Sequence, residues 1–455
     1  MTIQVAFLRL VVLLVGLGVG NAAAQPSRLL TAAKQGDMTT VGHLVEEGVA
    51  LDQSEGDGTT PLHWVVYHDQ RGMARRLLTA GADVNVANDL GVTALWIASQ
   101  NGSEELVRIL LDAGAKPNLS LTAGETPLMV ASRSGAHEAL RLLVSYGADL
   151  EARGPRGQTA LMWAVAQGHF EAVRLLLYLG ADPHARSDVW GEVMGVPPHG
   201  QSEYNLEIPH GGNTALMFAA REGSIAAARH LIAAGADVND TNAWGVSATT
   251  MAAHAGFGEL VELLLGAGAN PNAAEAGFAA IHVGVMRRDL SMVRALLEHG
   301  ADPNAVLQTW TPIRRASRDL HFAPPLVGAT PFWLASRFVQ PGIMRLLADH
   351  GADPKVVHHA AYKSPADLQP LQERTTALMA VTGMGGARRL RSWAPLDSAD
   401  IEELALESAK LAVELGADIH ATDLEGRTAL DGARTARWRA VAAFLESRGA
   451  RPGGN

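Results

Sequence analysis

Two groups of side chains in the sequence have the chemistry of metal ligands. His358 and His359 are adjacent, and seven aspartates each follow a Gly-Ala pair in a polar, turn-rich segment. Adjacent side chains on an extended strand point to opposite faces, so the histidines alone do not predict a zinc site. The aspartates are expected to cap turns rather than to form a row of ion ligands. They are Asp83, Asp149, Asp182, Asp237, Asp302, Asp353 and Asp418.

The sequence contains no motif of a known catalytic nucleophile, metalloprotease or nucleotide-binding loop. G-x-S-x-G, the P-loop and H-E-x-x-H are missing, as is cysteine, and a G-x-G-x-G run at 16–20 lies in an apolar N-terminal segment. The longest stretch without repeat pattern is about 23 residues, whereas an independent domain needs roughly 50. We therefore expect no enzyme and no cofactor. A hydrolase built from loops is the alternative, but the sequence displays no reactive serine or carboxylate pair for it.

Four stretches, at about 189–211, 307–327, 357–373 and 383–400, combine aromatic rings with arginine or histidine. Aromatic and arginine side chains are enriched at protein-binding hot spots, which makes these stretches candidates for partner binding. The alternative is that the stretches only pack on neighbouring turns, with their rings buried and their arginines capping carbonyls. The candidate partner-binding residues are Trp190, Tyr204, Trp310, Arg314, Arg315, His321, Arg388, Arg389 and Trp393.

A repeated pattern of 33 residues surrounds these stretches. In one copy, Thr126 is suited to cap a helix and Pro127 to occupy its first position, while Gly135 and Gly147 are suited to end two successive helices. The pattern opens with G-x-[TS]-[PA], usually followed by leucine. Six consecutive copies are followed along the chain by four looser copies. The openings are Gly58, Gly91, Gly124, Gly157, Gly212 and Gly245, then Gly277, Gly328, Arg374 and Gly426, with a degenerate copy from Gln25.

Each copy predicts two short helices that cannot bury their apolar residues alone. In the second helix of the copy at Gly124, Ala139, Leu142 and Leu143 form one apolar stripe. Neighbouring copies must stack to cover such stripes. The sequence thus predicts an elongated solenoid of helix pairs joined by extended β-turns.

This pattern resembles that of the ankyrin-repeat family, whose T-P-L-H-x-A signature is nearly matched by TPLHWV at 60–65 and more loosely by TALMFA at 214–219. The resemblance covers residues 25–451. It implies an all-α repeat solenoid of about eleven helix-turn-helix units joined by β-turn fingers, and a habit of binding proteins. The chain departs from the signature at its histidine, which is kept only as His63 and His282.

The four stretches are insertions into this repeat. The first three follow the Gly-Ala ending of a copy and precede the next helix, so they are expected to lengthen the fingers on one edge. The fourth separates the two helices of its own copy. Insertions in repeat arrays map to loops, and loops on a rigid scaffold commonly carry binding.

The N-terminus predicts export. One cation, Arg9, precedes an apolar run that ends at Ala22-Ala23-Ala24, as in a cleavable secretory signal. We expect a signal peptide at 1–24, the repeat array at 25–451, a tail at 452–455 and a periplasmic or secreted protein; a retained N-terminal anchor is the alternative. No later segment is long enough to span a membrane. The net charge of −10 argues against nucleic acid as a partner.

These patterns predict a protein-binding scaffold or adaptor that uses a concave face and the lengthened fingers. The basic, aromatic insertions favour a partner with an acidic surface. One alternative is a small-ligand or metal-responsive protein with a pocket between insertions, and another is an effector delivered into a host cell. The partner and the oligomeric state are left open by the sequence.

Overall fold

The computed structural model describes residues 27–195, 205–311, 321–363, 369–385, 393 and 400–454. It divides into two compact units, Met1–Gly154 and Pro155–Asn455. The expected signal peptide at 1–24 lies outside the described residues. None of the helices in these ranges is both long and apolar enough to cross a membrane.

The described part of the first unit consists of consecutive helix pairs. Each first helix packs on the first helix of the next pair, and each second helix packs on the next second helix. This arrangement buries leucine, valine and alanine between neighbouring pairs. The pairs are α1 Arg28–Gln35 with α2 Met38–Glu46, α3 Pro61–Tyr67 with α4 Arg71–Thr79, α5 Ala94–Asn101 with α6 Glu104–Asp112, and α7 Pro127–Ser134 with α8 His137–Ser145.

The second unit continues the same pairing and adds strands. Its first helices are α9 Ala160–Ala166, α11 Ala215–Glu222, α13 Ala248–Ala255, α15 Ala280–Arg287, α17 Pro331–Arg337, α19 Ala377–Val381 and α21 Ala429–Ala436. Their partners are α10 Phe170–Tyr178, α12 Ile225–Ala233, α14 Gly258–Gly266, α16 Leu290–Glu298, α18 Pro341–Asp349, α20 Ile401–Glu414 and α22 Arg439–Ser447. The strands are β1 Val189–Gly195, β2 Asn205–Gly211, β3 Val357–Lys363 and β4 Pro370–Thr376.

Local sequence sets the helix ends as expected. The Thr126 hydroxyl accepts a hydrogen bond from the Met129 amide at 3.3 Å, and Pro127 occupies the first helical position. Gly135 ends α7 in the left-handed conformation, at φ 72°. A residue with a Cβ is strained there, which is why glycine recurs at this position.

Two insertions depart from the all-α expectation. β1 pairs antiparallel with β2, with Trp190 opposite His210, and β3 pairs antiparallel with β4. Alternation in β3 buries His358 and exposes His359, which confirms that these adjacent histidines face opposite sides. The all-α prediction is correct for the repeats and wrong for these two insertions, because their Gly, Pro and His residues obscured the alternating strand pattern.

An asparagine in each of several fingers ties one repeat to the next. The Asn272 amide donates to the Gly300 carbonyl at 2.9 Å, and its side-chain oxygen accepts from the Asp302 amide at 2.7 Å. Asn304 makes the same two contacts with Gly351 and Asp353, across the insertion at 307–327. These bonds fix the spacing of consecutive fingers. Asn85, Asn118 and Asn239 repeat the arrangement.

His282 links two elements in the interior of the second unit. Its Nδ1 accepts from the Ala279 amide at 3.1 Å, and its Nε2–H donates to the Ala305 carbonyl at 3.0 Å. The side chain is fully buried, and this burial lowers its pKa from 6.5 to about 4. His282 therefore stabilises the fold as a neutral imidazole.

The asparagine contacts predict opposite effects for two substitutions. Asn272→Ala removes a donor and an acceptor, so we expect a loss of about 1 kcal/mol in the free energy of unfolding. Lys355 occupies the equivalent finger position and lies beside Gly416, so Lys355→Asn is expected to gain stability by a similar amount. Urea unfolding followed by circular dichroism measures both. Unchanged stability of Asn272→Ala would contradict the proposed role of the finger contacts.

The buried imidazole predicts a pH dependence. Because His282 has a lower pKa in the folded chain than in the unfolded chain, the unfolded chain binds more protons between pH 6.5 and 4. Stability is therefore lost as the pH falls through this range, by about 2 kcal/mol from pH 7 to 5 for this residue. His282→Gln should lose less stability on acidification than the wild type. The exposed-site control His43→Gln should lose as much stability as the wild type. Parallel slopes for all three proteins would exclude this contribution.

Candidate functional site

The insertion at 307–327 is anchored on the repeats through its first two residues. The Leu307 amide donates to the Ala329 carbonyl at 2.9 Å, and the Gln308 amide donates to the Gly277 carbonyl at 2.8 Å. Within the loop, Thr311 and Phe322 bond through two contacts, the Thr311 amide to the Phe322 carbonyl at 3.0 Å and the Phe322 amide to Thr311 Oγ1 at 2.8 Å. These contacts hold Phe322 inward, where it is 1% exposed.

Phe322 is part of an aromatic row formed by Trp244, Phe278, Phe322 and Trp393. The ring centroids are 6.2 Å apart for Trp244 and Phe278, 5.2 Å for Phe278 and Phe322, and 5.1 Å for Phe322 and Trp393. The two middle rings are buried, whereas Trp244 and Trp393 at the ends are half-buried. The row therefore has a fixed interior and two partly accessible indoles.

Trp393 brings the insertion at 383–400 onto the insertion at 307–327. Its Nε1–H donates to the backbone carbonyl of His321 at 3.0 Å. Its ring also lies 5.3 Å, edge to face, from His254, which stands near the end of α13. Trp393 thus joins residues that are far apart in sequence on one surface of the second unit.

The third insertion reaches the same region through His358. The His358 ring lies 4.0 Å from the ring of Trp333, and its Nε2–H donates to the Val327 carbonyl at 3.1 Å. Trp333 Nε1 in turn donates to Thr375 Oγ1 on β4 at 3.3 Å. Burial lowers the pKa of His358 to about 4, so the ring is neutral near pH 7. Described residues of three of the four insertions therefore contact one another within the second unit.

Trp190, on the first insertion, lies in a separate stack. The Arg156 guanidinium carbon is 4.4 Å from the centre of the Trp190 ring, and the His210 ring is nearly parallel to it at 5.9 Å. Trp190 is half-buried. It therefore contacts two side chains of its own chain and is not part of the aromatic row.

The other predicted partner-binding residues have different placements. Trp310 is half-buried next to the base of its insertion, and His321 contributes its carbonyl to Trp393. Tyr204, Arg314, Arg315, Arg388 and Arg389 lie outside the described residues. The structure thus brings His321 and Trp393 together. The predicted role of the four arginines stays a prediction, because they lie outside the described residues.

The sequence pattern did not predict an aromatic surface on the first unit. Trp64 on α3 donates through Nε1 to Glu55 at 3.1 Å, and the Lys34 amine lies 5.2 Å from the centre of its ring. Tyr67, one turn later, is 39% exposed and meets Trp64 edge to face at 5.7 Å. The sequence signal that could have revealed this surface was Trp64, directly after His63. It lies within the TPLHWV signature, which was used only to predict the fold.

The arrangement of these side chains suits recognition of another molecule. Phe322, Phe278 and the indoles supply apolar area, and Trp393 already uses its N–H within the chain. Within the part of the chain that the structure describes, no group of three His, Asp or Glu side chains is placed to hold a metal ion. The histidines His282 and His358 have structural hydrogen-bond partners.

Comparison with known proteins agrees with the repeat architecture. A family model described as "Ankyrin repeats (3 copies)" matches residues 29–121, 116–187, 216–307 and 251–383, together well over half of the chain. A solved structure of the human ASB11 ankyrin repeat domain aligns with a TM-score of 0.42 and 24% identity, covering 61% of this chain and 99% of that one.

Two curated relatives match over shorter segments. "Ankyrin repeat and LEM domain-containing protein 1 homolog" of Caenorhabditis elegans is 47% identical over 58 residues, which are 13% of this chain and 8% of that protein. "Putative ankyrin repeat-containing protein" of Treponema pallidum (strain Nichols) is 41% identical over 96 residues, 20% of this chain and 32% of that protein. The chain spans less than a third of the length of either relative.

The contacts of Trp393 predict graded losses of stability. Trp393→Ala removes the ring contacts with Phe322 and His254 and the donor to the His321 carbonyl, so the free energy of unfolding should fall by about 2 kcal/mol. Trp393→Phe keeps an aromatic ring without the N–H and should lose about 1 kcal/mol. Urea unfolding monitored by circular dichroism gives the three values. Equal stability of all three proteins would contradict the docking of Trp393 on the insertion at 307–327.

Proposed function

The chain belongs to the ankyrin-repeat family, and from this premise we propose that it is a protein-binding scaffold whose inserted loops recognise the partner. Ankyrin repeats are generic protein–protein interaction scaffolds, and proteins built from them generally lack catalytic activity of their own. The observation that carries the proposal is the convergence of the insertions at 307–327 and 383–400 through Phe322 and Trp393.

The aromatic row has the properties of an anchor site. Phe278 and Phe322 are buried and hold the row against the repeats, so little side-chain freedom is left to lose on binding. Trp244 and Trp393 are half-buried and still present indole surface. Large, fixed aromatic side chains of this kind provide most of the binding free energy in many interfaces.

Several finer features belong to the same proposal. About eleven repeats form the array, and the partner docks on its concave face and on the lengthened fingers. Arg314, Arg315, Arg388 and Arg389 flank the aromatic row in sequence, which favours a partner with an acidic surface. The N-terminal segment with Arg9 and its apolar run supports export of the protein to the periplasm or the medium.

A quantitative affinity capture tests the scaffold role. The immobilised protein is incubated with an extract of its native source, and retained proteins are measured by mass spectrometry. Trp244→Ala combined with Trp393→Phe should reduce the retained amount of a specific partner at least tenfold, because about 1.4 kcal/mol of binding free energy from the anchor rings is lost. Arg314→Glu with Arg315→Glu should weaken binding of the same partner.

The control removes an exposed ring elsewhere. Tyr178, at the end of α10, is 82% exposed and far from the row in sequence, so Tyr178→Ala should retain the partner. Circular dichroism and melting temperature verify that each variant is folded. If no protein distinguishes the wild type from the Trp244 and Trp393 variant, the aromatic row is not the binding site.

A further inference from the structure

Arg437 adopts a backbone conformation that most repeats assign to glycine. It follows α21 at φ 62°, in the left-handed region. The corresponding position, eleven residues after the opening glycine, is Gly102, Gly135, Gly168, Gly223 and Gly256 in five other repeats. A side chain with a Cβ costs about 1–2 kcal/mol in this region. The arginine is thus kept at a cost that glycine would avoid.

In two other repeats the residue at this position is polar, and its side chain makes a hydrogen bond; in a third, Val339 at φ 46° is buried. Arg288, at φ 61°, donates to the carbonyl oxygens of Phe338 at 2.6 Å and Val339 at 3.3 Å. Asp69, at φ 52°, accepts a hydrogen bond from the Ser103 hydroxyl at 2.6 Å. In the repeats of Arg288 and Asp69 the polar side chain reaches the following repeat, which offsets the strained backbone.

Arg437 has no such partner among the described residues. Neither the Arg437 nor the Arg439 side chain makes a hydrogen bond or an ion pair with any of them, and both residues are exposed. Arg434, one turn earlier, donates to Glu446 at 2.7 Å. Two guanidinium groups near the junction of α21 and α22 are therefore open to a ligand, on a chain whose net charge is −10.

The same junction forms an open cleft of about 290 Å³. Arg434, Arg437 and Arg439 supply its cationic walls, and the half-buried Trp438 with Ala433 and Ala442 supplies apolar surface. A cleft with both kinds of surface suits a ligand that carries carboxylates beside an apolar side chain. A small inorganic anion would use only the cationic part.

We propose that this cleft binds an acidic peptide segment of a partner protein. Carboxylates of the peptide pair with Arg437 and Arg439, where planar guanidinium groups favour bidentate contacts. An apolar side chain of the peptide lies against Trp438, and the indole contributes contact area that free acids lack. The site is separate from the aromatic row and does not depend on the function proposed for it.

Fluorescence anisotropy with a defined peptide tests the site. The probe is a fluorescein-labelled fifteen-residue peptide of Glu-Glu-Leu triplets, titrated with the full chain at low salt. Arg437→Gly combined with Arg439→Gln should weaken binding at least tenfold. Glycine at 437 is the residue used in five other repeats, so this variant should melt at the same temperature as the wild type or higher. Loss of binding would then not reflect unfolding.

Matched controls separate this cleft from general charge attraction. Arg229 on α12 and Arg294 on α16 are exposed arginines without an ion pair in the described residues, so Arg229→Gln with Arg294→Gln changes the charge equally and should leave affinity unchanged. A Lys-Lys-Leu peptide should not bind. Three results overturn the proposal: no binding of the acidic peptide at 1 mM protein, equal weakening by both double variants, or full displacement of the peptide by 10 mM inorganic phosphate.

Discussion

The structure depends on apolar surface that a single helix pair cannot cover. Within each of the two units, each first helix buries its residues on the first helix of the next pair, and each second helix does likewise. Leu264 on α14 is fully buried in this way. Because burial of apolar area is the main favourable contribution to folding, the repeats stabilise one another in sequence order. The finger contacts of Asn272 and Asn304 add directional bonds to this packing.

Stacking of this kind explains why long insertions are tolerated and what they can do. An insertion between repeats, or between the two helices of one repeat, leaves the packed helices intact, so its own residues are free to make further contacts. Described residues of the insertions at 307–327, 357–373 and 383–400 use rings and backbone hydrogen bonds to pack on the repeats and on each other. They become part of a preorganised surface, which suits recognition of another macromolecule.

Sequence pattern alone predicted the repeats but not the surface they carry. Thr126, Pro127 and Gly135 have local functions that recur at fixed spacing, so the helix boundaries followed from residue type. The two hairpins and the ring contacts of Trp393 depend on which distant segments meet, and no local rule gives that information. Trp190 had the same composition signal as Trp393, yet its ring contacts Arg156 and His210 instead of the aromatic row. Composition identified candidate residues, and only tertiary structure separated their roles.

Hydrogen exchange after a single core truncation tests the dependence on neighbouring repeats most directly. In Leu264→Ala, amide protection measured by mass spectrometry should fall in α14 and in the helices it packs against, α12, α13 and α16. Protection in α1–α3 should stay as in the wild type. A loss of protection confined to α14, or one spread evenly over all the helices, would contradict an architecture stabilised by contacts between adjacent repeats.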